Sequence, residues 1–98
     1  MTITKELNGT ELKIALDGSL DTVTAPELEA ELKQSLGGAE SLIMDFSKLE
    51  YISSAGLRVL LSAHKIMSSK GGMKVTHVNE IVSEVFEVTG FADILTVE

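Results

Sequence analysis

The chain contains no cysteine. A disulfide framework and a thiolate metal site are therefore excluded, and nothing in its chemistry turns on thiol redox state. Two histidines and scattered carboxylates show no metal spacing of the His-Glu-x-x-His kind, so no metal or other cofactor is expected. Long apolar runs are missing too, so nothing reads as a membrane span. The opening residues, Met1 to Glu6, lack the apolar core of a secretory signal. A cytoplasmic location is the resulting expectation. Positive charge is scarce: eight Lys and Arg stand against fifteen Asp and Glu, a net charge of −7. That balance disfavours nucleic acid and anionic membrane surfaces as partners. Phosphate-cradling P-loops and dinucleotide fingerprints are absent, as is the Gly-x-Ser-x-Gly nucleophile elbow. No low-complexity segment, Pro-rich linker or internal repeat interrupts the chain.

What is present suits one compact domain over residues 1–98. The length allows a single core, and 44% of the residues are apolar. Glycines at 9, 18, 37–38, 71–72 and 90 divide the chain into short elements. Thr2 to Leu7 alternates weakly, and Asn8-Gly9 is a two-residue hairpin signal. Glu11 to Asp17 then alternates well, with Leu12, Ile14 and Leu16 on one side, as a half-buried strand should.

Thr24-Ala25-Pro26-Glu27 reads as a capping box opening a helix, with Leu28, Leu32 and Leu36 as its apolar stripe and Gly37 as its stop. Ser41 to Phe46 reads as a buried strand. Residues 54–69 form a second helix, with Leu57, Leu60, Leu61, His64 and Ser68 on one face. Met73 to Val78 is a further strand. Asn79 caps a third helix that closes at Thr89-Gly90, and the tail from Phe91 to Val97 is expected to pack with a final short strand. The order β-β-α-β-α-β-α predicts an α/β fold: a mixed sheet with an N-terminal hairpin, parallel crossover strands, and three to four covering helices.

Ser53 and Ser54 stand where the second helix begins. Serine is a preferred N-cap, and capping alone is its ordinary role. The free N–H groups at a helix start also favour anions, so a phosphate on Ser54 would be tolerated there, and Arg58 lies one turn further on. A dianion at that spot would obstruct a partner docked over it. Ala55, Val59 and Ile66 extend the apolar arc of this helix, either to pack on neighbours or to serve as a docking strip. Asp21 and Asp45 read first as turn and strand-end residues. His64 reads as a packed histidine, and His77 has no liganding neighbour. A Ser-His-Asp set assembled from Ser54, either histidine and Asp21 or Asp45 lacks the elbow, and the domain is small for a substrate pocket, so no enzymatic activity is expected.

Asp45-Phe46-Ser47-Lys48-Leu49, followed by Tyr51-Ile52-Ser53-Ser54-Ala55-Gly56-Leu57, resembles the signature of the STAS domain family. Gly18-Ser19-Leu20-Asp21 resembles that family's turn before its first helix, and Ala25 to Leu28 resembles the start of that helix. Gly71-Gly72 and Val85 to Phe91 also fit, so the likeness runs through nearly the whole chain. The resemblance implies a stand-alone anti-sigma factor antagonist. Such a protein binds an anti-sigma factor serine kinase when unphosphorylated, is released on phosphorylation, and is restored by a serine phosphatase. It implies Ser54 as the phosphorylated residue, and Asp21, Ser53, Ala55, Gly56, Arg58 and Val59 as the surrounding partner surface. The chain departs from the family pattern at Ser53, where aspartate is usual. That makes Ser53 a second candidate acceptor and leaves a constitutive STAS adaptor in a larger assembly as the alternative. A monomer or weak dimer is expected.

Overall fold

A computed structural model describes all 98 residues, Met1–Glu98. Five strands and three helices follow in the order β1 (Thr2–Asn8), β2 (Glu11–Leu20), α1 (Ala25–Ser35), β3 (Ser41–Ile52), α2 (Ser54–Ser68), β4 (Met73–Thr76), α3 (Glu80–Thr89) and β5 (Thr96–Val97). The strands lie side by side in the order of the sequence. Only β1 and β2 are antiparallel; β2 through β5 run parallel. The mixed sheet expected from the hairpin and crossover pattern is what forms.

The hairpin turn is displaced by one residue from its expected place. Asn8 still pairs with Glu11, so the loop is Gly9-Thr10. Gly9 takes φ +65° there, the conformation a tight hairpin needs and side chains resist.

Alternation sets the sheet's inner face. Leu12, Ile14 and Leu16 of β2, Leu42, Met44 and Phe46 of β3, and Met73 and Val75 of β4 are all buried. Positions between them stay wetter and carry ion pairs, Lys13 with Asp45 and Lys74 with Glu98. Burying one aliphatic side chain contributes roughly 1.5–3 kcal/mol, and the 24 buried apolar residues form one cluster. That cluster is the source of the fold's stability.

β3 is twice as long as alternation suggested. It does not stop at Phe46 but continues to Ile52. Its buried positions change spacing from two to three, Phe46 then Leu49 then Ile52. The cause is a pair of β-bulges. Ala15 faces Asp45 but Asp17 faces Lys48; Gly18 faces Leu49 but Ser19 faces Tyr51. At the first bulge the Asp45 carboxylate accepts the Ser47 N–H at 3.0 Å. Each extra residue breaks the period of two by which a strand is read from sequence.

β4 is shorter than expected and ends at Thr76. His77 follows with φ +58°, a left-handed backbone that cannot continue a strand. α3 begins as expected: the Asn79 side chain accepts the Val82 N–H at 2.8 Å, and Gly90 ends the helix in the left-handed conformation. α1 buries Leu28 and Leu32, with Leu36 just beyond. It ends in a short 3₁₀ turn, Leu36–Gly38, rather than at a glycine in the left-handed region.

Candidate functional site

Two loops meet at the carboxyl ends of β2 and β3. In parallel sheets this edge commonly carries function, because the crossovers leave their loops there. The Ser53 N–H donates to the Leu20 carbonyl at 2.9 Å, which fixes the start of α2 beside the end of β2.

The β2–α1 turn is built around Asp21. Its carboxylate accepts N–H bonds from Val23 and Thr24, each at 3.0 Å. Its carbonyl accepts from Ala25 at 2.8 Å. The expected capping box does not form. Thr24 already has helical angles, and its hydroxyl donates to the Ser19 carbonyl at 2.7 Å while accepting the Asp21 N–H at 2.8 Å. Asp21 thus orders the turn before α1, while the Glu27 N–H is met by the Thr24 carbonyl and no side chain caps the helix. The Thr24 N–H chiefly holds the Asp21 carboxyl below the usual carboxylate range; partial burial opposes this, and the Thr24 hydroxyl and Val23 N–H reinforce it.

Ser53 occupies the N-cap of α2 in extended conformation, and Ser54 is the first helical residue. Their environments differ. The Ser53 hydroxyl is shielded from solvent and has no hydrogen-bond partner, whereas Ser54 is exposed. Arg58, four residues on, is also exposed and makes no ion pair. No acidic residue lies in the first turn of α2. The helix start thus presents a hydroxyl, free amide donors and one cation with no carboxylate on the same turn.

The rest of the expected surface divides. Ala55 is partly exposed. Gly56 is buried and contributes no side chain; it lets α2 approach Leu20 and Ile52. Val59 is buried at 6% exposure, so it is a core residue and not part of an open strip. The buried face of α2 is Gly56, Leu57, Val59, Leu60, Ala63 and Met67; Leu61 and His64 lie at its margin and Ser68 outside it. The face is turned relative to expectation because α1 packs beside it: Leu32 and Leu36 line one groove with Val59 and Ala63.

A shallow groove of about 220 Å³ runs between the starts of α1 and α2, lined by Thr22, Pro26 and Glu29 as well as Ala55, Arg58 and the edge of Val59. No local sequence pattern reveals the α1 side of this groove, because its residues stand about thirty positions from those on α2. Two exposed apolar residues lie on the same edge. Val23, 80% exposed, sits in the Asp21 turn, and Tyr51, 47% exposed, pairs with Ser19 at the end of the sheet. The one sequence signal for Val23 is an apolar residue set among the polar turn residues Asp21, Thr22 and Thr24.

Asp45 lies away from this edge, on the wetter face of the sheet. The Ser47 N–H chiefly lowers its carboxyl below the usual range; partial burial opposes, and His77 and Lys13 add to the lowering. His77 Nδ1 lies 3.4 Å from it.

The STAS domain family matches residues 2–98. BtrV of Bordetella bronchiseptica, which carries the name of an anti-sigma factor antagonist, is 39% identical over 84 residues, covering 84% of this chain and 72% of BtrV. The crystal structure of an anti-sigma factor antagonist from Mycobacterium paratuberculosis superposes with a TM-score of 0.89 at 23% identity, covering 98% of this chain and 83% of that one. SpoIIAA of Bacillus, solved in its phosphorylated form, superposes at 0.76 with 18% identity, covering 99% and 91%. The bulged β3, the Asp21 turn and the Ser54 helix start stand on the sheet order of that fold, and the chain belongs to the STAS domain family.

Proposed function

We propose that this protein is an anti-sigma factor antagonist whose binding is switched by phosphorylation of Ser54. The observation that carries the reading is the contrast between two adjacent serines. Ser54 is open to solvent at the first position of α2, while the Ser53 hydroxyl is closed off. A kinase active site must reach the acceptor oxygen, so the geometry favours Ser54 over Ser53.

The switch follows from charge. A kinase transfers the γ-phosphoryl group of ATP to the Ser54 oxygen, ADP leaves and the hydroxyl proton is released. The product carries roughly −1.5 to −2 charges. In the free protein that charge meets the positive end of the α2 dipole, free amide N–H groups and Arg58. In a complex covering Ser54, it is stripped of water against a partner surface. Phosphorylation therefore stabilises the free protein relative to the complex, with no refolding. The unmodified protein binds an anti-sigma factor serine kinase in the cytoplasm, frees its sigma factor, and is reset by a serine phosphatase. The names of BtrV and of SpoIIAA's described states support this reading. Asp21 acts by holding the turn beside Ser54; Ala55, Arg58, Val23 and Tyr51 supply the contact surface.

The test is phosphorylation by the organism's anti-sigma factor kinase with ATP, read by intact mass. Wild type and Ser53→Ala gain one phosphate, and Ser54→Ala gains none. Modification of Ser54→Ala to the wild-type extent overturns the assignment. Ser53, in place of the usual acid, supports a second reading, a constitutive STAS adaptor. In that case the kinase neither binds nor modifies the protein, and it co-purifies with a larger assembly instead.

A further inference from the structure

The strongest feature outside the Ser54 edge is the outer face of α3. Ile81 and Val88 are 57% and 80% exposed, and Val85 is partly exposed between them. Their i, i+4, i+7 spacing makes one stripe along the helix, distinct from the Val82 and Phe86 pair that enters the core. The stripe borders a groove of about 250 Å³ that Glu84 and Thr89 also line. Ile94 and Val97, further along, are exposed as well, so four of the eight large exposed apolar residues fall in this C-terminal stretch.

Charge sorts the possible occupants. From Asn79 to Glu98 the chain carries five carboxylates, Glu80, Glu84, Glu87, Asp93 and Glu98, and no lysine or arginine. Only Glu98 is paired, with Lys74. Glu80, Glu84 and Glu87 make no ion pair. A second copy of this face would set like charges against each other, and an anionic membrane would be repelled. An apolar stripe beside unpaired carboxylates instead complements a helix with an apolar face and flanking lysines or arginines.

We infer that the α3 face is a docking surface for a basic amphipathic helix of another protein. This surface does not involve Ser54, so it can be occupied whatever the phosphorylation state, and the inference stands independently of the proposed switch.

The probe is a synthetic Leu/Lys peptide of roughly 18 residues, five helical turns, with its leucines in one stripe. A peptide of the same composition, shuffled to abolish the stripe, is the control. Binding is followed by amide chemical shifts of the isotopically labelled protein. The striped peptide is expected to shift residues 80–98 and to bind about tenfold or more tighter than the shuffled one, weakening as salt rises. Val88→Asp, at a position too exposed to disturb the core, and the double change Glu84→Lys with Glu87→Lys should each reduce that affinity by about tenfold. Equal binding of the two peptides, shifts centred elsewhere, or indifference to Val88→Asp overturns the inference. Self-association that Val88→Asp abolishes, or binding to phosphatidylglycerol vesicles through this face, overturns it in favour of another occupant.

Discussion

The Leu20 side chain fills the space that a Cβ on residue 56 would need: an added methyl carbon would lie 2.7 Å from Leu20 Cγ. Ile52 Cγ1 would be 2.9 Å away. Both neighbours are fully buried, so neither can move aside cheaply. The absence of a side chain at Gly56 is what lets the first turn of α2 sit against the end of β2 and carry Ser54 beside the Asp21 turn.

Gly56→Ala should therefore destabilise the protein, although alanine is the better helix former. Overpacking costs about 1–3 kcal/mol against a helix gain of about 1 kcal/mol. Thermal unfolding should show a lower midpoint than wild type. An unchanged or raised midpoint would mean that Leu20 repacks.

Asn79 joins two elements. Its side-chain oxygen caps α3 through the Val82 N–H, and its amide nitrogen donates to the Leu49 carbonyl at 2.8 Å. Asn79→Ala loses both, with an expected cost of about 1–3 kcal/mol. Asn79→Asp keeps the cap but sets a carboxylate oxygen against the Leu49 carbonyl, so its urea midpoint should also fall below wild type. A midpoint for Asn79→Ala equal to wild type would show that neither bond matters.

Acid should weaken the fold through Asp45 and Asp21. Both carboxyls titrate below the reference value of 3.8 when folded. As pH drops, the unfolded chain takes up these protons first. The stabilisation is thus complete above the unfolded pKa and is lost as pH falls through the folded one. Urea midpoints measured downward from about pH 5 should decline, and Asp45→Asn should decline less steeply across that window. Parallel curves for the two proteins would remove Asp45 from the account.

Val23 and Tyr51 separate binding from folding. Both are well exposed, so Val23→Ser and Tyr51→Ser should leave stability within about 0.5 kcal/mol of wild type. Under the proposed function, each should weaken kinase binding by about tenfold, as loss of an interface anchor does. Full affinity in both variants would move the contact surface away from the end of the sheet.

Much of this architecture was legible in local patterns. Leu12, Ile14 and Leu16 marked β2 by strict alternation, Leu28 and Leu32 marked α1, and Asn79 with Gly90 bounded α3, because in each case the signal lies within a few residues. The same locality explains the misses. Alternation ends β3 at Phe46 because two bulges then shift its period, and a bulge exists only relative to the partner strand. Thr24 and Glu27 looked like a capping box, but the Thr24 hydroxyl is engaged by Ser19 and Asp21, so the turn was decided by competition among hydrogen bonds. Ser53 and Ser54 are one residue type at one helix start, so local pattern does not rank their exposure, although the family resemblance points to Ser54.

The order of residues by itself determined a one-core α/β chain with a serine pair at a helix start, since periodicity, turn chemistry and charge are properties of neighbours along the backbone. Only the tertiary structure decided which serine faces water, that Val59 belongs to the core, and that Val23 and Tyr51 lie on the edge that carries Ser54. Those facts depend on how α1 and the ends of β2 and β3 pack around α2, and burial is a property of what surrounds a residue in space.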